Sequence, residues 1–230
     1  MDPMWLRTAV AAILLAGCAG VNQTASRPSI TPVPPITSPN QPAQVIFLCN
    51  GSGSMAGAPE EFWRPMLCRL VRGLGSQQSF NVIFFQHVYD GAAESWFCAL
   101  DDHPLPASDH NQAKALCFAQ RHAVGDIGMP LDGIDEAFRE HPDQILLLTN
   151  GNFADPGDEI VRQRVAGLNR AHHVRVDILI LMDEMPQKQE ESILAPLHQI
   201  AQENSGTCQP LYAYDRNATP TESSYAIARH

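Results

Sequence analysis

The sequence predicts an α/β fold: a doubly wound, mostly parallel central sheet with one antiparallel edge strand and helices on both faces. Short, nearly unbroken apolar runs at residues 45–48, 80–85, 145–148 and 174–181 have the length and density of strands buried on both sides. Between them, apolar residues recur three and four positions apart, as on one face of a helix. Such alternation makes βαβ units with right-handed crossovers, and no internal repeat points to a solenoid instead.

The first strand runs straight into Cys49-Asn50-Gly51-Ser52-Gly53-Ser54, a turn carrying two hydroxyls, an amide and two glycines. Phe62, Met66, Leu70 and Leu74 then form a helical stripe. They predict a helix from near Glu61 to Gly73 or Gly75, with Pro65 in its first turn. Residues 80–85 are the second strand, and Asp90-Gly91 turns the chain into an antiparallel partner over residues 93–99. A helix is expected over residues 108–120, and another opens at Pro130 with Leu131, Ile134 and Phe138 inward. Ile145 to Thr149 is a buried strand, Val161, Val165 and Leu168 mark the next helix, and residues 174–181 the next strand. Pro196 is expected to open the last helix, with Leu197, Ile200 and Ala201 inward and Gly206 closing it. Residues 207–214 make the final strand.

The chain of 230 residues is long enough for one domain with extensions, and its 44% hydrophobic content supports a full core. A net charge of −10, with no basic cluster, argues against nucleic acid as a partner and lends no support to an anionic membrane surface. Arg7 precedes an apolar run over residues 9–16 that is too short to span a bilayer and has the proportions of a secretory signal. The run ends Leu15-Ala16-Gly17-Cys18, which resembles the lipobox of bacterial lipoproteins. That resemblance implies a signal peptide at residues 1–17 and a lipid on Cys18. With Ala19 rather than Asp next, it implies anchoring in the outer membrane where the organism has one. The alternative is an ordinary cleaved signal with an incidental cysteine.

Ala19 to Pro42 holds six prolines and no acidic residue, a composition that favours extended polyproline II over a core. At ~3.1 Å per residue, these 24 residues reach roughly 70 Å. Residues 18–43 therefore read as a lipidated tether, 44–214 as the globular head and 215–230 as a loose polar tail. Beyond Cys18, five cysteines remain: Cys49, Cys68, Cys98, Cys117 and Cys208. An exported protein permits disulfides, and Cys98 with Cys117, flanking one excursion, is the first pair to test. Cys49, at a buried strand end, reads as packing, and no CxxC or Cys–His metal spacing occurs.

In open α/β sheets, loops at the carboxyl ends of the strands form the ligand crevice, which places Asn50-Gly51-Ser52-Gly53-Ser54 and Thr149-Asn150-Gly151 there. With Val124-Gly125-Asp126-Ile127-Gly128 they make three motifs that resemble, in order and strand context, those of the von Willebrand factor type A domain family. The resemblance covers residues 44–214. It implies a metal-ion-dependent adhesion site: a D-x-S-x-S turn, a T-D-G turn and a threonine loop hold Mg²⁺ or a similar ion, and a partner protein's carboxylate completes its shell. Against that pattern the site is degenerate. Asn50 and Asn150 replace both aspartates and Gly125 the threonine, while Ser52 and Ser54 are retained.

The loss is electrostatic. A divalent ion and one carboxylate at about 4 Å attract by roughly 8 kcal/mol at an effective dielectric of 20, before desolvation. A residual of ~3 kcal/mol over both substitutions is about a hundredfold in affinity, and Mg²⁺ usually keeps at least one carboxylate. Weak or absent binding of Mg²⁺ or Mn²⁺ is the expectation. Asp126, beside Gly125, is the one residue that could restore charge and make a divalent-cation-dependent adhesion protein; otherwise it caps the helix at Pro130 or faces solvent. A carboxylate-free pocket of N–H groups, hydroxyls and amides also suits an anion, such as a partner's acidic side chain. In the plainest reading Asn50-Gly51 is only a turn, Ser52 and Ser54 cap the following helix, and partner contacts lie elsewhere.

A hydrolase is the rival class. Gly51-Ser52-Gly53 lacks the G-x-S-x-G spacing of a nucleophile elbow. The pairs Asp102-His103 and Asp109-His110 lie in an apparent loop, and His172-His173 ends a helix, where it complements the dipole. HExxH and glycine-rich nucleotide fingerprints are absent. The expected function is therefore an envelope-anchored module that binds a protein partner, with no catalytic residues.

Overall fold

The computed structural model describes residues 43–89, 94–122, 125, 128–151, 153, 157–182 and 187–212. Cys18 and the whole signal and tether, the Asp90-Gly91 turn, Asp126, Asn152 and the tail lie outside the described residues. The elements, in chain order, are β1 (Ala43–Asn50), α1 (Ala58–Arg72), β2 (Gln78–Tyr89), β3 (Glu94–Ala99), β4 (Leu105–Pro106), α2 (Asp109–Arg121), α3 (Pro130–Arg139), β5 (Gln144–Thr149), α4 (Asp158–His172), β6 (Arg175–Met182), α5 (Gln187–Glu203) and β7 (Cys208–Tyr212). A single 3-10 turn, Gly53–Met55, lies between β1 and α1.

The sheet has the order β3-β2-β1-β5-β6-β7, all pairs parallel except β2 with β3. The expected α/β architecture with an antiparallel edge strand is what the chain adopts. The two-residue β4, also antiparallel to β2, was not anticipated, because two residues carry no periodicity.

Burial on both sides explains the dense apolar runs. Side chains alternate along a strand, so Val45, Phe47 and Cys49 of β1 face one layer while Ile46 and Leu48 face the other. The first layer holds α1 and α2, through Trp63, Met66, Leu67, Leu70, Ala115 and Ala119. The second holds α3, α4 and α5, through Ile134, Phe138, Val161, Val165, Leu197 and Ile200. Trp63, 1% exposed, packs edge-on against Phe84 at 5.4 Å and is the largest side chain in the first layer.

Two helix starts differ from expectation. α1 begins at Ala58, so Pro65 is the eighth of its 15 residues rather than part of the first turn. Pro59 supplies the favoured early proline, and Pro65 lies on the exposed face, where the carbonyl it cannot bond turns to water. α5 likewise begins at Gln187 and carries Pro196 inside. In both helices the buried stripe outweighs the proline, and at Pro65 the cost falls on the outer side. α3 does open at Pro130, with Leu131, Ile134 and Phe138 packed inward. Ser108 caps α2 by accepting the Asn111 N–H. The five cysteines from Cys49 onward are free: Cys98 lies half-buried on β3 and Cys117 exposed on α2, so no bond joins them. Cys49 is packing, since burial alone pushes its thiol far above the usual range.

Candidate functional site

The strand order reverses between β1 and β5, so their carboxyl ends flank the crevice where open α/β sheets take ligands. Asn50 ends β1 and Asn150 follows β5, and the parallel register of the pair, Cys49 opposite Leu148, makes the two amides neighbours. Asn50 is 1% exposed and donates from Nδ2 to Asn150 Oδ1 at 3.1 Å. Its Oδ1 accepts the Ser52 backbone N–H at 2.9 Å, which folds the turn back on itself. The Gly51 N–H bonds the Phe85 carbonyl of the neighbouring strand at 3.1 Å. The first loop is thereby pinned on both sides.

Ser52 and Ser54 face each other, their hydroxyl oxygens 2.9 Å apart. They do not cap a helix. Ser52 precedes the 3-10 turn without a capping hydrogen bond, and the residue at the cap of α1 is Gly57. The plain capping reading of these serines is therefore corrected: the intervening turn separates them from α1. For the same reason α1 does not begin directly behind the first loop.

The third loop meets the first through backbone. The Gly125 N–H donates to Gly51 O at 2.7 Å and to Gln86 Oε1 at 3.2 Å. A Cβ on Gly125 would lie 3.1 Å from the His87 carbonyl, so a larger residue at the place of the family's threonine would press on β2. Gly128 is tighter still, for a Cβ there would come within 2.9 Å of Ser52 Cβ and 3.2 Å of Asn50 Oδ1. In the second loop, Gly151 has a φ of +79°, the left-handed region glycine favours, and its N–H bonds Thr149 Oγ1 at 3.1 Å.

Asn50, Ser52, Ser54 and Asn150 thus come together as the sequence suggests, with Gly125 and Gly128 closing over them. Asp126 and Asn152 lie outside the described residues. None of the described residues joined in this hydrogen-bond network is a carboxylate. No group of three or more His, Cys, Asp or Glu among the described residues is arranged to hold a metal ion. Gln86, buried and holding the third loop, was missed. Its signal was a polar residue directly after the buried run that ends in Phe85.

The two Asp–His pairs lie far from the serines along the strands, and Asp109-His110 opens α2 instead of lying in a loop. Asp101, next to Asp102, accepts from Asn81 near the start of β2, and Ser108, next to Asp109, follows a residue bonded to Gln78 at that strand's first position. Ser52 follows the end of β1. Among the described residues no histidine joins the serine pair.

No protein-family model matches the chain, and no curated protein matches it. Solved structures do. A von Willebrand factor type A structure from Catenulispora acidiphila superposes with a TM-score of 0.55 at 15% identity over 73% of this chain. The pilus adhesin SpaC from Lactobacillus rhamnosus GG superposes with TM-scores of 0.57, in its open conformation, and 0.59, at 13% and 12% identity over 74% of the chain. The matched part spans 38% of the first structure and 28% of the adhesin. The fold is that of a von Willebrand A-type domain.

Proposed function

We propose that this chain is a protein-binding module whose candidate site works without Mg²⁺ or Mn²⁺, displayed from a bacterial envelope by a lipid on Cys18. The observation that carries the metal reading is the Asn50–Asn150 hydrogen bond. Two carboxylates at that spacing would repel, and one would keep its proton unless a cation lay between them. Two amides need no ion, because one donates and the other accepts. The donor set does not fit a hard divalent cation. Among the described residues it offers no carboxylate, Asn50 Oδ1 already accepts the Ser52 N–H, and Asn50 Nδ2 presents hydrogens rather than lone pairs. The amide pair therefore does what the ion would do in joining β1 to β5, and does so without charge.

Likeness to a pilus adhesin supports protein binding as the use of this fold. The absence of a histidine beside Ser52 among the described residues weighs against a hydrolase. The lipobox-like ending at Cys18 supports the anchor. Palmitate labelling in a bacterial host should be lost in Cys18→Ala, and labelling that persists would remove the anchor from this reading.

The metal reading is tested by restoring charge. In the double variant Asn50→Asp/Asn150→Asp, repulsion should lower stability by ~2 kcal/mol, and millimolar Mg²⁺ should recover it. The unaltered protein should melt at the same temperature in Mg²⁺ and in EDTA. Mg²⁺-dependent melting of the unaltered protein, abolished in Asp126→Ala, would replace this reading with a cation-dependent one.

A further inference from the structure

At the opposite end of the sheet, α3 and α4 finish side by side and each brings a histidine to the gap. His141 follows α3, and His172 is the last residue of α4. Both are exposed, and their Nδ1 atoms stand 3.4 Å apart. That separation is long for an N–H donor, whose usual range is ~2.7–3.2 Å. It is the separation of two ligands on one tetrahedral ion: nitrogens about 2.0–2.1 Å from Zn²⁺ lie about 3.3–3.4 Å from each other. The ring centroids are 5.0 Å apart with an interplanar angle of 45°, so the rings are inclined rather than head-on.

We infer that His141 and His172 form a two-histidine site for a borderline divalent transition-metal ion of the Zn²⁺ class. Three further features favour it. The pair is preorganised: His141 is held in left-handed backbone at φ +53° with its N–H on the Phe138 carbonyl, and the His172 ring lies against that of Phe138, centroids 6.4 Å apart. Both helices end here, and the partial negative charge of a helix C-terminus attracts a cation. Imidazole also suits Zn²⁺ and its neighbours rather than Mg²⁺, which separates this site from the one at the other end of the sheet. For ligation each ring carries its proton on Nε2 and offers the Nδ1 lone pair. No third His, Cys, Asp or Glu among the described residues completes the shell, so the remaining positions belong to water or to another molecule.

The test is calorimetric titration of Zn²⁺ into the full chain in detergent. His141→Asn keeps the left-handed backbone accessible while removing the ligand, and His172→Ala removes the other. Each should weaken one Zn²⁺ site by about tenfold or more. His173→Asn, which removes the adjacent exposed imidazole and likewise keeps left-handed backbone accessible, should leave affinity unchanged, and Mg²⁺ should not compete. Folding of each variant is checked by circular dichroism, and in the unaltered protein the ring resonances of His141 and His172 should shift on Zn²⁺ addition. Absence of saturable Zn²⁺ binding, binding unchanged in His141→Asn or His172→Ala, or equal loss in His173→Asn would overturn the assignment.

Discussion

At the carboxyl end of the strands, the described polar groups that join β1 to its neighbours are neutral: Asn50 with Asn150, Gln86 with Gly125, and two serines with each other. At the amino end, the corresponding work falls to a buried carboxylate. Asp177 of β6, with no exposed surface, accepts from Gln144 of β5 at 2.7 Å, from Arg175 Nε at 2.7 Å, and from the N–H and hydroxyl of Thr207 at 2.9 and 2.8 Å. Both ends tie adjacent strands together through side chains. They differ in what happens when one member is lost. A buried charge is tolerable only while fully partnered, whereas an amide pair is tolerable in the presence or absence of ions. The fold rests its charge where all partners come from its own chain, and leaves none of the described residues charged where an ion or a partner would be required.

Removing the carboxylate at the amino end should have the largest effect. Asp177→Ala removes the acceptor that Gln144, Arg175 and Thr207 share and should cost about 3–5 kcal/mol in urea unfolding. A loss under about 1 kcal/mol would show the two ends to be equivalent. Asn50→Ala, at the carboxyl end, removes the acceptor of the Ser52 N–H and the donor to Asn150 Oδ1 inside the crevice. The unpartnered Ser52 N–H should cost about 1–3 kcal/mol, with no dependence on Mg²⁺.

A pH experiment sharpens the contrast further. Glu140, at the end of α3, is 9% exposed, and only one of its oxygens finds a partner, Asn81. Burial, opposed by that hydrogen bond and reinforced by Glu136, pushes its carboxyl from the ordinary 4.5 up to about 7. The folded state then holds a proton that the unfolded chain has released, so stability should fall as pH rises from about 4.5 to about 7. Glu140→Gln should flatten that part of the curve, and an unchanged slope would mean the carboxyl titrates normally. Ser54→Ala, which removes one exposed hydroxyl at the carboxyl end, should change stability by less than about 0.5 kcal/mol.

Much of this was legible from residues alone, and the failures share a cause. Apolar runs located the principal strands because a strand buried on two faces has no polar side to hide; the strand ends located the first two site loops, and the family resemblance supplied the third. Asp177 carried no signal: its partners sit on β5, on β6 and in the turn before β7, and no spacing relates them. His141 and His172 are 31 positions apart and meet only because α3 and α4 end at the same edge. Pro65 and Pro196 misled because a helix start was inferred from proline itself, while tertiary burial decided how far each helix extends.

Periodicity alone gives the class of fold and the order of its elements, and the amides in place of two carboxylates come from side-chain identity set against the family the chain resembles. Packing in three dimensions is what makes the two amides bond each other, turns the serines to face one another instead of capping α1, and brings charge and imidazole to the other end. Those outcomes depend on which strands lie side by side, and hydrogen bonds of about 3 Å are set by that adjacency rather than by separation along the chain.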